Sequence, residues 1–231
     1  MKIGLIGGLS PYSTILYYKE IVELAKKRYG SYLEIVINSV SLEKVQHYVR
    51  NGDLEGLSQY LGEAAQQLEE AGAKIIGIAA NTPHIVAPRV SKYLREAELI
   101  SIVDAVAEKI RELGVSKVGL LATRATINYR LYHNALEPLG IKVITPLTFE
   151  QKVVDEVIDN LTKGLIDTRA KLRLSPIITG LVGRGARAIV LGCTELPLVF
   201  GGFRIKLPVV DSVRVHVEAL LERAEEILRK S

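Results

Sequence analysis

The chain has few sulfur-containing residues and few large aromatic rings: one cysteine, one methionine and no tryptophan in 231 residues. A single cysteine excludes an internal disulfide framework, cannot build a thiolate zinc site, and fits a reducing compartment such as the cytoplasm. No apolar run approaches the length of a membrane span, and the first residues lack the apolar segment of a signal peptide. The sequence therefore predicts a cytoplasmic protein with no membrane partner.

The charge is low and spread along the chain. The chain has 30 Lys and Arg residues and 26 Asp and Glu residues, which gives a net charge of +4. It has no run of basic residues interleaved with aromatic residues, the pattern typical of a nucleic-acid-binding surface. The four histidines, at positions 47, 84, 133 and 216, are too far apart to show a metal-ligand spacing. Dinucleotide, phosphate-loop and serine-hydrolase motifs are also absent. We therefore expect no nucleic-acid partner, no metal and no nucleotide cofactor.

Short apolar runs alternate with stretches of helical periodicity. Hydrophobic residues make up 48% of the chain, which is enough to build one large or two small domains. Strands are predicted at residues 2–7, 33–40, 74–79, 100–103, 118–122 and 141–144, before Cys193, and at 209–210; helices are predicted at 54–70, 128–139 and 168–182, and a turn at Gly201-Gly202. This alternation predicts an α/β fold with parallel sheets flanked by helices.

Three segments of the first half recur in the second half. Residues 2–7 resemble 117–122, residues 72–82 resemble 185–195, and residues 100–106 resemble 207–213, at offsets of 115, 113 and 107. A repeat of half the chain predicts two similar lobes that are related by pseudo-twofold symmetry and face each other. We expect residues 1–98 with 210–231 to form the first lobe and residues 99–209 the second. The offset of 113 aligns Ala80 with Cys193.

Several polar side chains follow predicted strands, where α/β folds place their sites. They are Ser10, Asn81, Thr82, Thr123, Thr126, Cys193 and Thr194. Thr82 can cap a helix that begins at Pro83, and the helix N-terminus could hold an anion. The alternative is structural: such residues are often helix caps or turn residues, and a lone buried cysteine is more often part of an apolar core.

The motifs resemble those of the aspartate/glutamate racemase family, and most of all its aspartate racemase branch, over essentially the whole chain. They are Gly7-Gly8-Leu9-Ser10-Pro11, Asn38-Ser39-Val40, Ala80-Asn81-Thr82-Pro83-His84, Gly119-Leu120-Leu121-Ala122-Thr123 with Thr126, and Gly192-Cys193-Thr194-Glu195-Leu196-Pro197. The resemblance implies a cofactor-independent isomerase, usually a homodimer, that holds an acidic amino acid or similar dicarboxylate between its lobes. It also implies a substrate-binding cation, for which Lys163 and Lys44 are the candidates.

Inverting an α-carbon needs one group that removes a proton and another that returns a proton to the opposite face. The family usually carries a cysteine at both positions, but here the first position is Ala80, which cannot carry a proton. Cys193 is the predicted acid/base, and we expect its pKa to be lowered at a helix N-terminus. Thr82 and His84 are the candidates to replace the missing group.

Three functions remain open from the sequence. One is a racemase-like enzyme that acts through Cys193 on one face. The second is an enzyme resembling the single-cysteine decarboxylases of the superfamily, and the third is a dicarboxylate-binding homologue without turnover. Whether Ala80 is natural or was introduced to trap a ligand is also open.

Overall fold

A computed structural model describes residues 1–167, 169–200 and 205–230. Its contacts divide the chain into two compact units, Met1–Ile102 with Val213–Ser231 and Val103–Ser212. The predicted turn at Gly201-Gly202 and the first residue of the predicted helix 168–182 lie outside the described residues.

The first unit contains a four-stranded parallel sheet with the order β2-β1-β3-β4. Its strands are β1 (Lys2–Gly7), β2 (Glu34–Ser39), β3 (Ile75–Ile78) and β4 (Glu98–Ile100). Its helices are α1 (Pro11–Tyr29), α2 (Leu42–Asn51), α3 (Leu54–Glu70), α4 (Ala87–Val90) and, apart from its first residue, α11 (Ser212–Lys230), with short 3-10 helices at Thr82–Val86 and Ser91–Tyr93. Apolar side chains of α3 and α4 pack on one face of the sheet, and those of α1 and α11 pack on the other.

The second unit repeats this sheet with the order β6-β5-β7-β8, again with every strand pair parallel. Its strands are β5 (Lys117–Ala122), β6 (Lys142–Ile144), β7 (Ala188–Gly192) and β8 (Val209–Asp211). Its helices are, apart from its first residue, α5 (Ile102–Glu112), then α6 (Arg124–Asn128), α7 (Leu131–Leu136), α8 (Thr148–Thr162), α9 (Arg169–Gly183) and α10 (Pro197–Phe200), with a 3-10 helix at Glu137–Leu139. Two parallel sheets flanked by helices confirm the predicted fold class.

Strand pairing tests the internal repeat directly. Ile3 pairs with Ile75 and Val118 pairs with Ala188, so β1 recurs 115 residues later and β3 recurs 113 residues later, as the sequence predicts. The third offset is wrong. Gly77 pairs with Ile100 and Val190 pairs with Val210, an offset of 110 rather than 107. The sequence match followed a shared Val-Asp pair that lies in a helix in one half and at a strand end in the other.

Local signals explain most helix boundaries. The Ser10 side chain accepts a hydrogen bond from the Ser13 backbone N–H, Pro11 follows in the first turn, and Gly30 ends α1 with a φ of +69°, as capping preferences dictate.

Three predictions about secondary structure are wrong. The sequence analysis misses α2, it extends β4 into the start of α5, and it begins one helix at residue 128, whereas α6 covers Arg124–Asn128 and α7 begins after Arg130, which has a φ of +55°. Within the described ranges, no helix is long and apolar enough to cross a membrane.

Candidate active site

Cys193 directly follows β7, a strand in which every residue is buried. Gly192 allows close packing at its end, because a Cβ atom there would lie 2.7 Å from Leu120 Cδ1 and 3.0 Å from Tyr132 Cε2. The Cys193 side chain is 5% exposed and belongs to an apolar cluster with Leu196 of the following loop. The thiol is therefore held at the carboxyl end of a central strand, where α/β folds place reacting groups.

A carboxylate lies beside the thiol. Cys193 Sγ donates to Glu195 Oε2 over 3.0 Å, and Thr194 Oγ1 donates to the same oxygen over 3.1 Å. Glu195 is 3% exposed, and its other oxygen, Oε1, has no hydrogen-bond partner within the described part of the chain. A buried acceptor of this kind costs free energy until a donor reaches it.

The expected low pKa of the Cys193 thiol is wrong. Burial, the nearby Glu195 charge and the hydrogen bond to Glu195 raise the pKa of Cys193 well above its ordinary value, against the smaller effect of the Glu195 and Thr194 backbone N–H groups. At neutral pH the group at this position is a thiol rather than a thiolate.

The equivalent position of the first unit follows β3. Ala80 is 6% exposed, and its backbone N–H donates to the Ile78 carbonyl over 2.8 Å. The next turn differs from the sequence prediction, because Thr82 is the first residue of a five-residue 3-10 helix and Asn81 takes the cap position. A 3-10 helix of five residues has a small dipole, so it gives little support to the expected anion site.

His84 lies in this 3-10 helix and is linked to a second histidine. Its Nδ1 lies 2.8 Å from the Ala80 carbonyl oxygen, and its Nε2 accepts the Ile102 backbone N–H over 3.1 Å. His216 of α11 lies edge-to-face against it at 5.8 Å between ring centroids. His216 Nε2 is 2.9 Å from the Ile100 carbonyl oxygen, and its Nδ1 is 2.8 Å from the Tyr17 hydroxyl. His84 is therefore committed to backbone contacts rather than free to replace a catalytic cysteine.

Acidification is expected to destabilise the first unit through these two histidines. Burial lowers the pKa of His84 to about 4, and burial with the neighbouring His84 lowers the pKa of His216 to about 3. Unfolded histidines titrate near 6.5, so between pH 6.5 and 4 the unfolded chain binds protons that the folded chain refuses. The free energy of unfolding should then fall by about 3 kcal/mol per histidine at pH 4.

Urea unfolding from pH 7 to pH 4 measures this effect. His216→Asn should give a shallower pH dependence, whereas replacing the exposed His47 should leave the dependence as it is. A free energy of unfolding that is constant over this range would contradict the prediction.

The loops after β1 and β5 use the same capping scheme. Ser10 Oγ accepts the Ser13 N–H, and Thr123 Oγ1 accepts the Thr126 N–H over 3.2 Å. Ser10 and Thr126 are buried, whereas Thr123 is partly exposed. Because β1 is paired with β3 and β5 with β7, Ser10 lies at the same sheet edge as Asn81 and Thr82, and Thr123 and Thr126 lie at the same edge as Cys193 and Thr194. In each unit the predicted site residues therefore lie together, at the carboxyl ends of the parallel strands.

The two predicted cations are exposed, one within a helix and one directly after a helix. Lys163 follows the last residue of α8, and its Nζ pairs with Asp159 Oδ2 at 2.6 Å. Lys44 lies in α2, with its Nζ 5.4 Å from the centre of the Tyr60 ring. Either lysine would have to leave its present contact to bind a carboxylate. Across residues 1–167, 169–200 and 205–230, no group of three His, Cys, Asp or Glu side chains is arranged to hold a metal ion.

Residues 6–220 match the Asp/Glu/hydantoin racemase family. The chain belongs to this family. An aspartate racemase homologue from Pyrococcus horikoshii is 35% identical, with a TM-score of 0.82 over 97% of this chain and 99% of that chain. The broad specificity amino-acid racemase RacX of Bacillus subtilis is 23% identical over 217 residues, which are 91% of this chain and 92% of RacX. An aspartate racemase from Picrophilus torridus, 23% identical, shares the fold with a TM-score of 0.79 over 97% of this chain and 94% of that chain.

Membership of the Asp/Glu/hydantoin racemase family confirms the resemblance drawn from the motifs. The structure adds a residue that the sequence analysis missed, Gln151 of α8. The Gln151 amide donates to the Ala122 carbonyl over 2.9 Å and to Asp155 Oδ1 over 2.8 Å. Its own oxygen, Oε1, is buried without a partner among the described residues. The sequence contained one indication of this residue: Gln151 shares a helix face, by its spacing, with Val154 and Ile158, which are buried.

Tyr132 is a second residue of this racemase-family chain that the sequence analysis missed. It is fully buried against Gly192, and burial is the main cause that raises its pKa, against the smaller opposite effect of a hydrogen bond with Ser212. Tyr17 stands 115 residues earlier and is also fully buried, so the repeat itself was the signal. The two tyrosines fill equivalent positions in the two units.

Proposed function

We propose that the chain is a cofactor-independent enzyme of amino-acid racemase type, which moves the α-proton of an acidic amino acid or similar dicarboxylate through Cys193. The observation that carries this proposal is the buried contact between the Cys193 thiol and the Glu195 carboxylate at the end of β7. A thiol with a carboxylate acceptor at 3.0 Å has a route by which its proton can leave and return.

The reaction would use this pair in a fixed order. Glu195 accepts the thiol proton, and the Cys193 thiolate then removes the α-proton, which leaves an enediolate on the substrate. Return of a proton from Cys193 restores the same enantiomer, and exchange of the Cys193 and Glu195 protons with solvent labels the product. The Thr194 hydroxyl and nearby backbone N–H groups are the donors proposed to stabilise the enediolate.

Substrate binding is assigned to the other polar residues of the two sheet edges. Ser10, Asn81, Thr82, Thr123 and Thr126 supply hydroxyl and amide groups for the carboxylates. Lys163 would supply the cation by exchanging its Asp159 contact for a substrate carboxylate.

The amino group of the substrate is assigned to the second unit. Its proposed acceptors are the buried oxygens Gln151 Oε1 and Glu195 Oε1, because an ammonium group supplies the donors that both oxygens need.

Ala80 limits the outcome of this chemistry. In a racemase a second acid/base residue serves the opposite face, and a methyl group at that position can neither give nor accept a proton. We therefore propose that one enantiomer exchanges its α-proton, whereas net inversion is slow.

A second candidate is a single-thiol reaction in which the substrate loses CO2 and Cys193 protonates the resulting enediolate. The raised pKa of Cys193 favours this candidate, because a thiol at neutral pH is ready to donate. A binding protein without turnover is the third candidate, and it would be stabilised by dicarboxylates without any reaction.

Proton NMR in deuterated water tests these candidates on the unmodified chain with L- and D-aspartate and L- and D-glutamate. We expect one enantiomer to lose its α-proton signal while chiral chromatography shows little inversion. Release of CO2 from a disubstituted malonate would instead favour decarboxylation. Thermal stabilisation by a dicarboxylate with neither reaction would leave only binding.

Glu195→Gln is expected to move thiolate formation at Cys193 to lower pH. The substitution removes the neighbouring negative charge that helps to raise the pKa of Cys193. The ultraviolet absorbance of the thiolate measures the shift when each chain is titrated against its Cys193→Ala counterpart, which carries the same ten tyrosines and lacks the one cysteine. Asp155→Asn, also in the second unit but paired with Arg124, is the matched charge control. If Glu195→Gln and the unmodified chain titrate identically, the Glu195 carboxylate does not raise the pKa of Cys193.

We also propose a homodimer in the cytoplasm. The resemblance of the motifs to those of the family supports the dimer. The single cysteine supports a reducing compartment such as the cytoplasm. Sedimentation equilibrium tests the dimer.

A further inference from the structure

The hydrogen bonds of His84 fix which of its nitrogens carries the proton. A backbone N–H can only donate, so the contact from Ile102 makes Nε2 the acceptor. In the neutral ring Nδ1 then carries the hydrogen and donates to the Ala80 carbonyl over 2.8 Å. His84 is 3% exposed, and burial keeps its ring neutral.

His216 carries the opposite tautomer. Its Nε2 lies 2.9 Å from the Ile100 carbonyl, which can only accept, so Nε2 carries the hydrogen. Nδ1 is left to accept the Tyr17 hydroxyl over 2.8 Å. The Tyr17 ring and the His216 ring meet edge-to-face at 5.6 Å. The two imidazoles therefore form one network in which each donor and each acceptor has a partner.

This network holds the backbone after β3. The Ala80 carbonyl is bound by His84, and the preceding carbonyl, of Ala79, lies 3.4 Å from the Ser13 hydroxyl. The His84 backbone N–H also donates to the Asn81 carbonyl over 3.0 Å. Three consecutive carbonyls, from residue 79 to residue 81, are thus tied to side chains or backbone of the same unit. The direction of the Cα–Cβ bond at position 80 follows from this arrangement.

We infer that His84 is a positioning residue, whose Nδ1–H holds the peptide between Ala80 and Asn81 so that residue 80 and the Asn81 amide face the substrate. The inference rests on the proposed function. It assigns to His84 no proton transfer, because both ring nitrogens are occupied by backbone partners. Small errors in position matter here, since a displacement of about 1 Å can cost about 10²-fold in rate.

Nitrogen-15 NMR of the two buried rings in the unmodified chain tests the geometry without reference to activity. We expect His84 to show a protonated Nδ1 and His216 a protonated Nε2. A His84 ring protonated at Nε2 rather than Nδ1 would overturn the inference, whether or not the variants described next fold.

Kinetics test the role, in a chain that carries Ala80→Cys and is assayed for racemisation. His84→Asn keeps an amide donor near Nδ1, whereas His84→Gln reaches the Nε2 position and loses the donor to residue 80. We expect His84→Gln to lower kcat by about tenfold to a hundredfold with a smaller change in KM, and His84→Asn to keep most of the activity. Tyr17→Phe, which breaks the far end of the same network, is the control for a general loss of stability, followed by thermal unfolding.

Equal losses in the Asn and Gln variants, or an equal loss in Tyr17→Phe, would show that the network only supports the fold. If Ala80→Cys racemises the substrate and adding His84→Gln does not change the rate, the inference about His84 is wrong while the proposed function stands. No racemisation by Ala80→Cys at all would count against the proposed function instead.

Discussion

Replacing Cys193 with alanine is expected to lower the rate of α-proton exchange by about 10² to 10⁴-fold, the usual contribution of a positioned acid or base. In the proposed reaction the Cys193 thiol exchanges the proton with the α-carbon, and Glu195 acts on that thiol through the contact at 3.0 Å. Exchange is measured by the loss of the α-proton signal in deuterated water, with the enantiomer that the unmodified chain labels.

Loss of folding would not explain this result. Cys193 is one small member of an apolar cluster that also includes Leu191, Leu196 and Val199, and removing its sulfur should cost about 1 kcal/mol of stability. Thermal unfolding of Cys193→Ala checks this cost. Cys193→Ser keeps the size and a hydroxyl donor to Glu195 but has a far higher pKa, so it should be nearly as inactive as alanine. Exchange that survives either change would exclude Cys193 as the acid/base.

Ala80→Cys is expected to raise net racemisation by at least about 10²-fold. The repeat makes position 80 the equivalent of position 193, because β3 and β7 pair with β1 and β5 in the same register. A thiol there would supply the second acid/base that the proposed reaction lacks. Chiral chromatography after incubation with each pure enantiomer measures the gain.

Ala80→Ser is the matched control for this gain, since it adds an atom of similar position without a group that titrates near neutral pH. Ala80 is buried with Val86 and Ala87, so both substitutions carry a similar packing cost. If Ala80→Cys folds and still exchanges one enantiomer without inversion, positions 80 and 193 do not serve opposite faces of one substrate.

Local and repeated features were predictable from the sequence. The Ser10 cap with Pro11, the strands that precede Ala80 and Cys193, and the offsets of 115 and 113 all follow from short-range patterns. The α/β class and the family follow from the same motifs. The third offset failed because Asp104 and Asp211 belong to different kinds of element, a difference that a short match cannot register.

Contacts over long sequence separations were not predictable. The pairing of His84 with His216 joins residues far apart in the chain, and Gln151 meets the end of β5 only after α8 has folded. The pKa of Cys193 was predicted in the wrong direction, because a sequence shows that Glu195 is near but not that its carboxylate turns toward the sulfur inside an apolar cluster. Burial and side-chain direction, rather than residue type, decide the protonation state.

The division of the chain has a consequence for its synthesis. Residues 103–212 form a compact unit from one continuous segment, whereas the other unit needs residues 213–230 to cover Leu5, Tyr17 and Ile21. On a ribosome the second unit can reach its native packing first, while one apolar face of the amino-terminal sheet stays incompletely covered until α11 emerges. His216 arrives with α11, so the order at the end of β3 is completed only after the second unit has been translated.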